Sequence, residues 1–149
     1  MRNLSSRWSP AGRCCGTIFV AAALLVACGR QSPEQELLDQ AAPVGSWIST
    51  LQMAGEKWIA NSVPTSFVKT TCEAADEDLD NAAEAAVKSK ARPAVRDPLR
   101  QLISQARGSG LSLRQAAAQN DRAGVARQTV RLAALRKQLA DWKQSAGPP

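Results

Sequence analysis

The chain has 149 residues, which is the size of one ordinary domain. It carries a formal charge of +6 at pH 7, 44% of its residues are hydrophobic, and it contains neither histidine nor tyrosine. The lack of histidine excludes a histidine general base and histidine ligation of haem. The composition therefore argues against a histidine-dependent hydrolase and against a haem carrier.

The N-terminal segment has the pattern of an export signal. Arg2, Arg7 and Arg13 make its first part basic, and no acidic residue accompanies them. An apolar run from Gly16 to Ala27 follows. A membrane-spanning helix needs about 20 apolar residues, so this shorter run predicts a signal peptide over residues 1–27 that is removed after export.

The apolar run ends in a short motif, Leu25-Val26-Ala27-Cys28-Gly29. This motif resembles the lipobox of bacterial lipoprotein precursors, in which an aliphatic residue and a small residue precede a cysteine. The resemblance covers residues 1–29 only. It implies that Leu25, Val26, Ala27 and Gly29 are read by the signal peptidase, and that Cys28 becomes the lipidated N-terminus. An ordinary cleaved signal and an uncleaved anchor are the alternatives.

The resemblance also implies a location. Lipoproteins of this type carry a diacylglycerol on the cysteine thiol and usually a further acyl chain on its amino group, and two or more chains anchor a protein stably. Gly29, not aspartate, follows the cysteine. In enteric-type bacteria this implies the periplasmic face of the outer membrane, with the inner membrane as the alternative. The covalent lipid is the only cofactor we expect.

Removal of the signal peptide changes the charge and the thiol content. Three of the 19 basic residues leave, all 13 acidic residues stay, and the formal charge falls from +6 to +3. Nucleic acid is therefore not an expected partner, since no aromatic residue is interleaved among the arginines either. Cys72 becomes the only unmodified cysteine, which leaves no intrachain disulfide.

Residues 28–32 form a predicted tether, and residues 33–144 a predicted helical domain. Ser32 and Gln35 suggest a capping box at the first helix, and Pro43 should kink or break that helix. Its apolar face follows helical spacing: Leu37, Ala41, Val44, Ile48, Leu51, Gly55 and Trp58. After a turn at 61–64, a second face ends near Lys88: Val68, Cys72, Ala75, Leu79, Ala82 and Ala86.

Two further helices complete the prediction. Asp97 is the expected N-cap of the third helix, and the apolar phase continues through Gly108-Ser109-Gly110, which favours one kinked helix over two. Its face is Leu99, Leu102, Ala106, Ser109, Leu113 and Ala116. A turn at Asn120-Asp121 precedes the last face, which consists of Val125, Leu132, Leu135, Leu139 and Trp142. Residues 145–149 are predicted to form a frayed tail.

These patterns predict an all-α fold, a small antiparallel bundle of three to four helices. An extended helical hairpin or coiled-coil pair that completes its core by dimerising is the alternative. No strand pattern of useful length occurs.

Charged and aromatic residues supply the candidate binding sites. The second helix carries an acidic stripe of Glu73, Glu77, Asp80 and Glu84. Three interpretations are open: the stripe faces solvent, it docks a basic partner, or it binds a cation weakly. The second half of the chain is basic, with Arg127 and Arg131 one turn apart. These basic residues can pair with the stripe, face anionic lipid or bind an acidic protein.

Trp47, Trp58 and Trp142 are expected in the core, and Trp47 and Trp58 would anchor a partner if exposed. Cys72 is expected in the core, with an intermolecular disulfide or a reactive thiol as the alternatives.

No motif for catalysis, phosphate binding or metal binding stands out, so we expect a non-enzyme without a metal site. The leading hypothesis is a membrane-anchored, non-catalytic module that binds a protein of the bacterial envelope. The alternatives are an inhibitor or immunity lipoprotein that neutralises a toxic enzyme, and a structural spacer or membrane-surface stabiliser. A homodimer stays open.

Overall fold

The computed structural model describes residues 32–146. The predicted signal peptide, Cys28 and most of the predicted tether lie outside the described residues, as do residues 147–149. The described part consists of four helices without a strand, which confirms the all-α prediction. They are α1 (Pro33–Ile59), α2 (Thr65–Lys88), α3 (Pro93–Ala118) and α4 (Arg122–Ala146).

The four helices form a closed antiparallel bundle. Each helix packs along its neighbours in the chain, α4 packs back against α1, and α1 also meets α3 across the centre. The turns between consecutive helices are short, which forces an up-down-up-down order. The chain therefore completes its own core, and the extended hairpin is not the arrangement found. No helix within residues 32–146 combines the length and apolar character needed to span a membrane.

The two ends of the bundle are distinct. At one end, Arg92 Nε donates to Glu34 Oε1 at 3.1 Å, so the α2–α3 turn lies beside the start of α1. We call this the tether end, because the chain enters the bundle here. At the opposite end, Arg122 donates a hydrogen bond to Asn61 and thereby joins the α3–α4 turn to the α1–α2 turn.

The core consists of the predicted apolar faces. Every residue of the four faces is buried except Ala82, which is half-buried. Ser109 and Thr129 are the buried polar side chains among the described residues. Burying a leucine or isoleucine contributes about 1.5–3 kcal/mol, so the helices are held chiefly by this apolar interior.

The helix starts agree only partly with prediction. Ser32 Oγ accepts from the Gln35 amide at 3.1 Å, which confirms the cap, but the Gln35 side chain donates to Asp39 instead of completing a capping box. The predicted N-cap Asp97 is wrong, because α3 already begins at Pro93. The extra turn buries Val95 in the core, and this burial favours the earlier start.

Proline and glycine do not end the helices in which they occur. Helix α1 runs through Pro43, whose exposed ring lies between the buried Ala41 and Val44. Helix α3 continues through Gly108-Ser109-Gly110, as the unbroken apolar phase predicts.

Helix α4 begins and ends on specific contacts. Asp121 Oδ1 accepts from the Gly124 amide at 2.8 Å, which confirms the predicted cap. The helix extends through the buried Ala146, so the predicted domain end at 144 and the start of the tail at 145 are wrong by two residues.

Candidate interaction surface

Helices α2 and α3 are joined on their solvent side by ion pairs. Arg107 Nε donates to Asp76 Oδ1 at 2.9 Å, and the same guanidinium also donates to Asp80. Farther along, Arg114 Nη1 donates to Glu73 Oε1 at 3.4 Å. The hydrogen bond to Asp76 raises the pKa of Arg107, so this guanidinium stays charged at every physiological pH. Part of the acidic stripe thus pairs with basic residues of the second half of the chain.

The other two members of the stripe have different surroundings. Glu84 pairs with Lys88 one turn later, at 3.1 Å. The Glu77 side chain is exposed and makes no ion pair or hydrogen bond with residues 32–146. Within this range no group of three or more histidine, cysteine, aspartate or glutamate residues is arranged to hold a metal ion. The stripe is therefore best described as a charged rim.

Two clefts open between α2 and α3 on either side of these ion pairs. One, of about 570 Å³, lies between Lys69 and Arg114, and the other, of about 500 Å³, lies between Val87 and Gly108. Leu111 lines both clefts. We call the two clefts together the α2–α3 groove. It has an acidic rim on α2, a basic rim on α3 and apolar residues in its floor.

The groove leaves apolar side chains open to solvent. Leu111 is 44% exposed and Val87 is 54% exposed, although each belongs to a helix with a well-packed inner face. Isolated exposed apolar residues are ordinary on protein surfaces, but these two line one concave feature. They supply the apolar contact area that binding another molecule requires.

Gly108 lies in the same groove and differs from the other glycines of residues 32–146. A Cβ on Gly55 would lie 2.6 Å from Thr129 Cγ2, and one on Gly124 would lie 2.3 Å from the Asp121 carboxylate. A Cβ on Gly108 would meet nothing within 4 Å. Glycine inside a helix costs about 1 kcal/mol relative to alanine. No contact within the bundle offsets that cost at Gly108.

The tryptophans do not form an exposed pair. Trp58 is 7% exposed, and its indole donates to Thr65 Oγ1 at 3.0 Å. Trp47 is half-buried between α1 and α2, and its indole donates to Asp78 Oδ2 at 2.7 Å. Trp142 is buried and donates to the Val95 carbonyl oxygen at 2.9 Å. The core prediction therefore holds for Trp58 and Trp142, and Trp58 is not available as a surface anchor.

Arg127 and Arg131 lie apart from the acidic stripe. Helix α4 packs on α1 and α3, whereas the stripe lies on α2. Arg127 pairs with Asp121 at 3.4 Å, close to the end of the bundle opposite the tether end. Arg131 is exposed and has no ion pair with the described residues. The structure does not bring these two arginines into the groove.

Cys72 lies on the inner side of α2. It is 4% exposed, and burial raises the pKa of its thiol to about 11. A protonated, inaccessible thiol is a poor nucleophile and a poor partner for an intermolecular disulfide. Its position confirms the core prediction.

Sequence reasoning missed the three residues that make the groove distinctive, Val87, Gly108 and Leu111. A signal was present, because Val87 and Leu111 are apolar residues that fall outside the helical faces listed for the core. Comparison of the chain with known protein families, with curated proteins and with solved structures found no match.

Proposed function

We propose that this chain is a lipid-anchored, non-catalytic interaction module of the bacterial envelope, with the lipid on Cys28 and a partner bound in the α2–α3 groove. The observation that carries the proposal is the open groove, in which Leu111 and Val87 are exposed beside an uncovered helix glycine. None of these residues is needed to fill the core. Their arrangement is typical of a contact surface for another protein.

The position of the groove supports the combination of anchor and binding surface. Ser32, the last residue of the predicted tether, is the N-cap of α1 at the tether end. The groove runs lengthwise between α2 and α3, so it extends away from that end. A partner could reach its length while the lipid held the tether end at the membrane. The expected membrane is the outer one, at its periplasmic face.

The inhibitor or immunity hypothesis uses the same surface with a different partner. Paired charges around an apolar centre would suit the edge of a toxic enzyme as well as any envelope protein. The membrane-stabiliser hypothesis has less support, because Arg127 pairs with Asp121 near the end opposite the tether. We therefore place the binding surface on α2 and α3.

The lipid anchor is tested by replacing Cys28 with serine in the full chain. We expect the wild-type chain to fractionate with membranes and its N-terminal peptide to carry acyl chains by mass spectrometry. The Cys28→Ser chain should move to the periplasmic soluble fraction. If both chains fractionate identically and neither carries lipid, the anchor is refuted.

The groove is tested separately with Leu111→Glu in the lipidated chain. A charge placed among apolar contacts should reduce recovery of the partner from cross-linked envelopes by at least about ten-fold. Val130→Glu is the matched control, because Val130 is 71% exposed on α4 and lies outside the groove. Equal recovery with the two variants would refute the groove as the binding surface.

A further inference from the structure

We infer that the molecule bound in the α2–α3 groove is a second copy of this chain, related to the first by a two-fold axis parallel to the helices. This inference rests on the proposed function, because it names the partner of the same groove. Three features of the described bundle lead to it: the charge pattern of the rims, the open glycine, and the end of the bundle at which α1 begins.

The two rims of the groove have opposite charge and are therefore complementary to each other. The α2 rim is mainly acidic, with Glu73, Asp80 and Glu84 between Lys69 and Lys88, whereas the α3 rim is mainly basic, with Arg100, Arg107 and Arg114 after Asp97. A two-fold axis along the groove lays α2 of one copy over α3 of the other. Acidic residues then face basic residues on both sides of the axis. An axis across the helices would lay acidic α2 on acidic α2, which like-charge repulsion disfavours.

Gly108 provides the space that this arrangement needs. It is exposed on the part of α3 that a second α2 would cover, and no atom lies near the position of a Cβ. A residue without a side chain lets two helices approach closely. Glu77 is exposed on α2 at a similar height, since Arg107 pairs with Asp76 and Asp80, and its carboxylate has no ion pair in residues 32–146. The dimer brings this carboxylate of one copy towards the Arg107 rim of the other.

The tether selects the same axis independently of the charges. A two-fold axis parallel to the helices keeps the tether ends of both copies at the same end of the dimer. The Arg92–Glu34 ion pair identifies that end in each copy. Two chains lipidated at Cys28, four residues before Ser32, would then both begin their bundles at the same end of the dimer. An axis across the helices would place the two tether ends at opposite ends of the dimer.

The residues along the groove floor lie nearest to the proposed two-fold axis. Each of them should therefore lie close to the same residue of the second copy. Ser104 is exposed in the groove, and Ser104→Cys is a nearly isosteric change. We would treat envelopes containing the full-length Ser104→Cys chain with a short bis-maleimide and measure the fraction of chain at twice the monomer mass. The wild-type chain gives the background from its own cysteines, of which Cys72 is buried. Val130→Cys on α4 is the matched surface control.

We expect Ser104→Cys to cross-link to itself at least about ten-fold more than Val130→Cys. Gly108→Gln, added to the Ser104→Cys chain, should remove most of that product by filling the space while favouring the helix. Circular dichroism of the double variant checks that it folds. Insensitivity of the product to Gly108→Gln in a folded chain would overturn the proposed contact.

Other outcomes separate the second copy from other partners. Equal dimer yield at Ser104 and Val130 would indicate random collision in the membrane and would overturn the dimer. A Ser104→Cys product with a different mass would identify another protein in the groove, refuting the dimer while leaving the proposed function intact. No product at Ser104 would also refute the dimer. Identical fractionation of the wild-type and Cys28→Ser chains, with no lipid on either, would refute the membrane argument alone.

Discussion

The α1–α4 and α2–α3 helix pairs are both antiparallel neighbours in one bundle and share its apolar core, yet their side chains meet in different ways. Between α1 and α4, Gly45 and Gly55 let the backbones approach Leu139 and Thr129 so closely that added Cβ atoms would crowd them. Between α2 and α3, arginines bridge a gap that is open to solvent. Both pairs are packed along their inner sides; glycine tightens the first, and long charged side chains span the solvent side of the second.

This difference distinguishes a helix pair whose facing surfaces are used up by packing from one whose solvent side is open to a binding partner. An interface closed by glycine leaves no concave apolar feature for another molecule. An interface spanned by exposed ion pairs gains little stability from them, because solvent and salt screen the charges. The α2–α3 pair is packed as closely along its inner side as the α1–α4 pair, but its solvent side retains exposed Leu111 and Val87. Four predictions test this contrast.

Gly55→Val should have the largest effect on stability. A Cβ at this site lies 2.6 Å from Thr129 Cγ2 and 3.1 Å from Leu113 Cδ1. Thr129 is buried, and its hydroxyl donates to the Ala126 carbonyl oxygen at 2.8 Å, so it cannot easily move aside. Overpacking of this kind costs up to about 3 kcal/mol, which chemical denaturation would measure.

Gly108→Val is the matched control for that substitution. It introduces the same side chain into a helix, but into open space. We expect the free energy of unfolding to change by less than about 0.5 kcal/mol. Similar losses for Gly55→Val and Gly108→Val would mean that close packing between α1 and α4 does not distinguish the two positions.

The second prediction concerns the inner side of α2. Burial raises the pKa of Cys72 from 9.0 to about 11, so the folded state holds its proton more tightly than the unfolded state does. The resulting stabilisation is complete below pH 9 and is lost as the pH rises from about 9 to 11. Its size is on the order of 2 kcal/mol.

Comparison with Cys72→Ala isolates this pH dependence. The variant should lose some stability at every pH because a small buried side chain is removed. The difference in unfolding free energy between wild type and variant should then shrink between pH 9 and 11. A difference that stays constant across this range would show that the thiol is hydrated, and that the inner side of α2 is as open as its rim.

The sequence predicted the interior of this bundle better than its surface. The spacing of residues such as Leu51, Leu79 and Leu132 identified the buried faces, because helical periodicity directly reflects which side of a helix is dry. The prediction of Asp97 as the N-cap of α3 failed, because an aspartate before Pro98 forms the same sequence pattern whether or not the helix has already begun. The additional burial of Val95 decided that case, and it depends on tertiary packing.

The groove could not be derived in the same way. Pairing of Arg107 with Asp76 and Asp80 depends on how α3 aligns with α2, and periodicity does not determine that alignment. Gly55 and Gly108 are likewise indistinguishable as letters in a helical segment. Only the neighbouring helix shows that a Cβ is excluded at the first position and tolerated at the second.

Gly108→Ala provides the third prediction, with a gain instead of a loss. Alanine in an unobstructed helix position should raise the free energy of unfolding by about 0.5–1 kcal/mol. The measurement should use a protein concentration at which sedimentation shows a single copy. Gly110→Ala is the control and should gain less, because its Cβ would lie 3.4 Å from Leu51 Cδ1 in the core. Destabilisation by Gly108→Ala would show that this position is covered within the monomer.

Arg107→Met should have the smallest effect and tests how the open helix pair is held. Methionine keeps an apolar stem of similar length but removes the ion pairs to Asp76 and Asp80. We expect a loss of about 0.5 kcal/mol at low salt, because the guanidinium is partly exposed. Raising the salt to about 1 M should remove most of this difference, since the screening length falls to about 3 Å.

Arg131→Met, which removes an exposed arginine without an ion pair in the described chain, should show no such salt dependence. A loss of several kcal/mol at Arg107 that salt does not reduce would mean that its aliphatic packing closes α2 against α3, and the contrast with the glycine-closed α1–α4 pair would disappear.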